Sequence, residues 1–395
     1  MIYGISIFLI YFMRSKKVIV VDLDGTLSLT DTFHESLLLL VRNKPLLLFM
    51  IPFWMLKGRA KFKAKVAEQT DLDVTLLPYN KPLIDWLKDK KNNGKQIVLC
   101  TGANEKIARA VAEYLQIFDD VIASNEKINI KGDNKRQVLD ERFGKKGYDY
   151  VGNSNADLKV WTGSSNSIIV NASRSLHSQA SKVAKVSKTF PPYNITISDW
   201  FRALRVHQWL KNMLLFVPLL ASHQFDNIQS FSTLILAFIS FSLCASFVYI
   251  TNDLVDLESD RNHPKKRDRP FASAKLPILA GVILSPLLVF LSLILGWIIG
   301  LDFFVLLILY IVLTSIYSFL IKKIIILDCL TLSALFTLRI FAGAAATSIV
   351  VSFWLFVFSI FLFLSLAFVK RYAEIYTQKK IGKIPCVRHF DPIFA

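Results

Sequence analysis

The chain has 395 residues, 53% of them hydrophobic, with 31 Phe and a mean hydropathy of +0.44, which is too apolar for a wholly soluble protein and long enough for two domains. A formal charge of +17 comes with no RNA- or DNA-binding pattern, so no nucleic-acid partner is expected; in a multi-pass protein Lys and Arg collect on the cytoplasmic side and face anionic lipid. Cys100, Cys244, Cys329 and Cys386 are scattered, two of them inside apolar runs, and suggest neither a disulfide framework nor a zinc site.

Met1 to Met13 is apolar and is followed by Arg14, Lys16 and Lys17. It is shorter than the roughly 20 residues a span needs, and its charge follows the apolar run, where a secretory signal has it in front. Two readings of this extension, residues 1–15, stay open: an interfacial anchor, or an upstream start codon wrongly chosen.

Val18 to Val21 is a short β-branched run opening into Asp22-Leu23-Asp24-Gly25-Thr26, a buried strand with two acids at its carboxyl end. Ile97 to Cys100 repeats the layout and delivers Thr101-Gly102. Tyr148 to Val151 delivers Gly152-Asn153, with Asp157 one helical turn further on, and Ser167 to Val170 reads as another strand. Lys131-Gly132-x-x-Lys135 puts a lysine at the start of a helix. Strands alternating with helices, with polar groups at the carboxyl ends, predict an α/β doubly wound parallel sheet.

The series Asp-x-Asp-Gly-Thr, Thr-Gly, Lys, Gly-Asn-x-x-x-Asp resembles the four motifs of the haloacid-dehalogenase (HAD) phosphatase superfamily over residues 16–172. The resemblance implies that Asp22 is the nucleophile and that Asp24 protonates the leaving oxygen and later activates water. It also implies that Thr101 and Lys135 hold the phosphoryl oxygens, and that Mg²⁺ sits among Asp22, Asp24, Asn153 and Asp157. A carboxylate attacks phosphorus only when cations neutralise the phosphoryl charge, a need that the metal and the lysine answer. Asn153 departs from the pattern, since the family more usually has an acid there and an amide oxygen brings no charge.

The gap of about seventy residues between the first two strands predicts a helical cap over about 31–80. Leu46 to Leu56 inside it is almost wholly apolar, contains Pro52 and runs into Lys57, Arg59, Lys61 and Lys63. The plainer reading makes it the cap's own core; the sharper one makes it a membrane-surface cap that admits lipid-linked substrate. Residues 173–198, rich in Ser, Lys and Pro without sustained periodicity, read as a linker. Arg205-Val-His207-Gln208-Trp209-Leu-Lys211-Asn212 is amphipathic and aromatic at the water boundary, where an interfacial anchor and a phosphate contact through Lys211 are equally good readings.

Six spans follow, roughly Met213 to Ser222, Phe231 to Ile250, Leu276 to Gly300, Phe303 to Ile321, Ile324 to Thr347 and Val350 to Val369. Lys and Arg crowd alternate loops, which predicts a multi-pass protein of the cytoplasmic membrane with the α/β domain and the loop after the second span in the cytoplasm. That loop holds Asn252-Asp253-Leu-Val-Asp256, Asp260, Lys266 and Arg269-Pro270. If it is helical, Asp253, Asp256 and Asp260 at i, i+3 and i+7 share one face, where carboxylates repel unless hard cations such as Mg²⁺ sit between them. The basic residues that follow suit an anionic substrate. A merely charged loop accounts for the basic residues and not for the regular acids. Arg339, inside a predicted span, costs roughly 2.5–3.5 kcal/mol at a helix centre and must face a partner or a wet cavity; an anion-binding cavity is the expectation, a salt bridge to Asp328 the alternative.

The pattern from Asn252 to Pro270 looks like the first aspartate-rich motif of the UbiA-type membrane prenyltransferases. With His207-Gln208-Trp209, Arg339-Ile-Phe-Ala-Gly343 and Lys370-Arg371-Tyr372, it is more similar to the polyprenyl-phosphate phosphoribosyltransferase branch than to the aromatic-acceptor branch, over residues 199–376. The family usually has nine spans, so six and a 377–395 tail without a span lead to the expectation of a truncated domain. The resemblance implies transfer of 5-phosphoribosyl from phosphoribosyl diphosphate to a polyprenyl phosphate. Asp253, Asp256 and Asp260 would hold Mg²⁺ with Asn252 in support, and Lys266, Arg269, Arg339, Lys370 and Arg371 would hold phosphates, while the fused phosphatase removes the 5-phosphate of the product. Two alternatives stand beside it: an aromatic-acceptor transferase using a prenyl diphosphate, and a phosphatase that is simply anchored in the membrane.

Overall fold

The computed structural model describes residues 18–126, 128–223, 227–319, 321 and 324–380. The predicted extension 1–15, Lys322, Lys323 and the tail beyond 380 lie outside them. Contacts divide the chain into two compact units, Met1–Thr196 with Leu254–Leu279, and Ile197–Asp253 with Ala280–Ala395. Residues 254–279, expected to belong with the membrane helices, thus fall with the first unit.

In the first unit, six parallel strands are β1 (Val18–Val21), β2 (Ile97–Asn104), β3 (Asp120–Ser124), β4 (Tyr148–Gly152), β5 (Asn166–Val170) and β6 (Lys185–Phe190), in the spatial order β3-β2-β1-β4-β5-β6. Alternation sends Val18 and Val20 into one core with Tyr148, Tyr150 and Trp161, and Ile19 and Val21 into the other with Leu23, Leu83 and Leu99. Buried on both faces, β1 needs four apolar residues in a row, and it sits between β2 and β4 where the strand order turns outward in both directions. The doubly wound expectation is met.

Between β1 and β2 lie α1 (Thr32–Asn43), a 3-10 turn at Pro45–Met50, α2 (Ile51–Leu56), α3 (Arg59–Gln69) and α4 (Lys81–Asn92). Asp31 caps α1 by accepting from Phe33 N and His34 N. Leu40, Trp54 and Val66 form a small cap core with Phe33, Leu37, Leu47, Ile51 and Phe62 around it. Later come α5 (Glu105–Leu115), α6 (Asp133–Phe143), the short α7 (Leu158–Trp161) and α8 (Arg174–Val183). The stretch expected to be a linker is thus not one up to Phe190, because α8 and β6 complete the α/β unit. The strand β6 is an edge strand carrying Lys185 and Lys188 and largely exposed, so it shows none of the apolar periodicity of a buried strand.

The second unit begins with α9 (Ile197–Leu204), a 3-10 run at Val206–Phe216 and α10 (Val217–Ala221), then α11 (Ile228–Val255). After α12 (Leu257–Asn262) of the first unit come α13 (Ile278–Ile299), α14 (Leu301–Phe319), α15 (Ile325–Thr347) and α16 (Phe353–Lys380). Among the described residues five helices, α11 and α13 to α16, are long and apolar enough to cross a membrane. The first predicted span, Met213 to Ser222, short by itself, is not among these five: it divides between the 3-10 run and the five-residue α10, which Pro218 helps to open.

Gly343 of α15 lies against the 3-10 run, where an added Cβ would meet Leu215 O at 1.9 Å and Leu215 C at 2.7 Å. Neither backbone atom can rotate away. Gly343→Ala is expected to cost about 1–3 kcal/mol, read as a lower unfolding midpoint of the full chain in detergent.

Candidate functional sites

The carboxyl end of β1 carries Asp22, whose N–H donates to Val151 O at 3.0 Å and whose Oδ1 accepts from Leu23 N at 2.9 Å. Lys135, in the first turn of α6, donates to the same Oδ1 at 2.9 Å and to the Tyr150 hydroxyl at 2.9 Å. Tyr150 donates onward to Asp157 Oδ1 at 2.8 Å. Three residues far apart in sequence, 22, 135 and 157, are thereby joined through a fourth. Burial would push the Lys135 ammonium down, but Asp22 and Asp157 outweigh it and hold it above the ordinary lysine range. Burial lifts Asp22, with Lys135 pulling against the lift and Asp157 adding to it. Thr101, fully buried within β2, accepts from Ala103 N at 3.0 Å.

Asp24 accepts from Thr32 N and Thr32 Oγ1, both at 2.8 Å, so the first residue of α1 holds it. Burial, and then the nearby Asp31, push its carboxyl up to about 7 against the Thr32 N–H. At that value its carboxyl gains and loses a proton near neutral pH. Gly25 turns at φ +72°, and a Cβ there would lie 2.1 Å from Asn153 Nδ2. The Asn153 amide therefore packs directly on the loop that carries both acids, and Asn171 fixes that loop by donating to Gly25 O at 3.0 Å.

Asp22, Asp24 and the Asn153 amide are hard oxygen donors of the kind Mg²⁺ takes. Asp157, expected as a further ligand, is instead committed: Oδ2 accepts from Asn153 N at 3.1 Å, Ser154 N at 2.9 Å and Ser154 Oγ at 2.7 Å, while Oδ1 takes Tyr150. Its observed part is to shape the loop after β4 and to orient Tyr150 toward Lys135. Tyr150 and Thr32 were not among the expected site residues. A tyrosine in an otherwise apolar buried strand, whose hydroxyl must find a partner, was the available signal for the first. An Asp-Thr pair at a helix start was the signal for the second.

The aspartate-rich stretch departs from one continuous helical face. Helix α11 ends at Val255, and Asp256 (φ −96°, ψ 15°) stands outside both α11 and α12. In the second unit, Asp253 is buried and pairs with Arg205 at 2.7 Å, the Arg205 guanidinium lying 4.7 Å from the Tyr249 ring centroid. Asn252 donates to Ser318 Oγ at 3.0 Å. In the first unit, Asp260 is buried and pairs with Arg269 at 2.7 Å, while Lys266 N–H faces His263 Nδ1. Among the described residues no three Asp, Glu, His or Cys side chains lie close enough together to hold a metal. The single helical face that the spacing suggests is interrupted: Asp253 and Asp260 are each paired with an arginine of their own unit, and the half-buried Asp256 belongs to neither helix. Arg205, which pairs with the first of them, was missed as a site residue; its place at the head of the amphipathic segment was the only hint.

Arg339, 3% exposed, does not pair with Asp328. Its Nε donates to Asn212 Oδ1 at 3.0 Å, Nη1 to Leu335 O at 2.7 Å and Nη2 to the Tyr310 hydroxyl at 2.9 Å, and it lies over the Tyr310 and Phe336 rings. Lys211 approaches the same Phe336 ring at 5.9 Å. Burial, and then Arg339, Lys370 and Arg205, push the Lys211 ammonium down to about 7. Three basic residues thus act on Lys211 here. Asp328 is taken by Tyr317 at 2.8 Å and Arg371 at 3.6 Å, which gives the expected phosphate ligand Arg371 a carboxylate partner.

Residues 213–385 match the UbiA prenyltransferase family. The y4nM protein of Sinorhizobium fredii is 35% identical over 363 residues, covering 91% of this chain and 70% of that protein. A decaprenyl-phosphate phosphoribosyltransferase of Mycobacterium tuberculosis is 32% identical over 198 residues, 49% of this chain. The chain spans 65% of that relative, under two thirds of its length. A substrate-bound phosphoserine phosphatase structure aligns with a TM-score of 0.33 and 15% identity over 45% of this chain and 93% of its own.

Proposed function

Because this chain belongs to the UbiA-type membrane prenyltransferases, in their phosphoribosyltransferase-like branch, we propose that, with the α/β unit in front acting as a HAD-like phosphatase, it moves 5-phosphoribosyl from phosphoribosyl diphosphate to a polyprenyl phosphate. The 5-phosphate of the product is then the substrate we assign to the fused domain. One observation carries the transferase reading: Arg339 is buried in an apolar helix and, among the described residues, all its hydrogen-bond partners are neutral. A cation so placed is costly unless an anion joins it. Lys370 adds charge nearby, and Lys211, whose ammonium these cations push down to about 7, would take up its full charge when an anion enters, more than a prenyl diphosphate donor with a neutral aromatic acceptor calls for.

In this reading Asp253 is released from Arg205 when donor enters, so that the arginine turns to the departing diphosphate. Arg339 and Lys211 hold the 5-phosphate, and the helices keep water from C1 of the ribose as it becomes cation-like. In the second unit, Mg²⁺ held by Asp253 would supply neutralisation of the leaving diphosphate. In the first unit, Asp22 attacks the phosphoryl group, Lys135 offsets its charge and Asp24 delivers and later removes the proton. We place both sites on the cytoplasmic side.

The test is full-length protein given phosphoribosyl diphosphate labelled in the ribose, together with polyprenyl phosphate. Label is expected in the lipid fraction, falling about 100-fold or more in Asp253→Asn and in Arg339→Met. No labelled lipid from active wild-type protein, with product formed instead from prenyl diphosphate and an aromatic acid, would sink the assignment.

A further inference from the structure

The cap of the phosphatase unit ends in an apolar tip that its own core does not cover. In the segment Pro45–Leu56, Trp54 is buried and Leu47 and Ile51 pack beneath it. The rest faces outward: Leu46 is 79% exposed, Phe49 77%, Phe53 61%, Met55 59% and Leu56 86%. The expectation that this run is the cap's own core therefore holds for three residues and fails for most. Two aromatic and three aliphatic or thioether side chains bare within one short segment are not ordinary surface.

Charge decides what covers them. Arg42 and Lys44 precede the tip, Lys57, Arg59 and Lys61 follow it, and all five are exposed. No Asp or Glu occurs between Glu35 and Glu68. An apolar tip with a wholly basic collar matches a bilayer surface bearing anionic headgroups, where Phe and Leu enter the acyl boundary and Lys and Arg meet phosphate. The chain brings such a surface with it, since five of its helices are long and apolar enough to cross a membrane.

We propose that the Pro45–Leu56 tip inserts into the interface of an anionic bilayer and holds the phosphatase cap there. The helices flanking the tip lead back to the site. Helix α1 spans about 18 Å and begins at Thr32, the residue that holds Asp24. From α3, Lys63 reaches Gly102 O at 2.9 Å, beside Thr101. A small pocket between these helices and β2 is lined by Thr32, Ser36, Lys63 and Asn104. A phosphate monoester carried on a lipid headgroup would therefore meet the site from the side at which the cap is anchored. Insertion stands whether or not the second unit transfers phosphoribose; the lipid-linked substrate rests on that reading.

The experiment uses the full chain in nanodiscs, its four cysteines replaced by alanine, with an environment-sensitive fluorophore at Phe49→Cys or Leu56→Cys and a control at Lys88→Cys, an exposed position on α4. In discs containing phosphatidylglycerol, the tip labels are expected to shift to the blue and to be quenched by nitroxide-bearing lipid but not by aqueous iodide, with the control reversed. Tip labels quenched by iodide alone would overturn the proposal, as would labels shielded from both quenchers, which means a protein partner. Equal insertion into purely zwitterionic discs would overturn the assignment of anionic lipid. In a second arm, Phe49→Asp/Phe53→Asp is expected to lower hydrolysis of a lipid-linked phosphate about tenfold while leaving p-nitrophenyl phosphate hydrolysis unchanged. Equal loss on both substrates would remove the delivery role, and transferase activity in the same discs reports separately on the second unit.

Discussion

Asp22→Asn is expected to reduce phosphate-monoester hydrolysis to background, a loss of about 10⁴-fold or more, since in the proposed reaction covalent catalysis ends with its nucleophile, Asp22. The substitution keeps the shape of the side chain, so the loop after β1 retains its bonds from Leu23 N and to Val151 O. What it removes is the charge that Lys135 answers. Lys135 is 4% exposed and would be left with hydrogen bonds to neutral groups only, the amide oxygen and the Tyr150 hydroxyl, and breaking a buried ion pair from one side costs about 3–5 kcal/mol. Lower activity by itself therefore proves little, because the variant also loses stability. The double variant Asp22→Asn/Lys135→Met removes both charges and is expected to regain much of the unfolding midpoint with no return of hydrolysis. Recovery of hydrolysis in that background would take the nucleophile role from Asp22. The pH profile supplies a second reading. Asp24 is raised to about 7, so its protonated form, the one that serves the leaving oxygen, is present below that pH and lost above it. Formation of the phosphoryl-enzyme is expected to slow as pH rises through about 7, and Asp24→Asn to lack that limb.

The parts of the site that could be read in advance are those where local chemistry and local structure agree. Short β-branched runs ending in acids, in Thr-Gly or in Gly-Asn can only be buried strands offering polar ends, and β1, β2 and β4 are that. Tyr150 escaped because on a buried strand a tyrosine is first of all core; only the positions of Lys135 and Asp157, fixed by tertiary packing, make its hydroxyl part of the site. The edge strand β6 escaped for the opposite reason, being so exposed that Lys185 to Phe190 looks like a linker. The acids at 253, 256 and 260 have helical spacing with no Gly or Pro between them, so nothing in the spacing announces that the helix stops at Val255. Arginines distant in sequence from Asp253, or beyond the break in the case of Asp260, settle where each carboxylate goes. The apolar cap segment was legible as a choice between two fates, and composition alone does not choose, because core and bilayer are equally apolar to a hydropathy scale.

Glu35→Ala is expected to be as damaging to the first unit as the loss of a core side chain, although neither Glu35 nor Arg261 is assigned any chemistry. Glu35, in the first turn of α1, receives Arg261 Nη2 at 2.6 Å and Nη1 at 3.1 Å, a two-pronged pair with both side chains buried, and Arg261 Nε donates to Ala272 O at 2.9 Å. This pair ties residues 254–279 to α1, and it explains how a stretch between two apolar helices comes to belong to the α/β unit. Removing the glutamate strands a buried guanidinium, at a cost of about 3–5 kcal/mol, read as a lower unfolding midpoint and faster proteolysis within 254–279. Arg261→Met should relieve part of that cost in the Glu35→Ala background, because a thioether needs no counter-charge. The consequence for activity separates this pair from Asp22. Helix α1 also begins at Thr32, which holds Asp24, while Asp256 and Asp260 ride on the stretch that Arg261 anchors. Glu35→Ala should therefore lose hydrolysis together with stability, and Arg261→Met should return part of both, whereas Lys135→Met returns stability alone to Asp22→Asn. If Glu35→Ala altered neither the unfolding midpoint nor the protection of 254–279, the pair would be a surface ornament and the membership of that stretch in the first unit would need another cause.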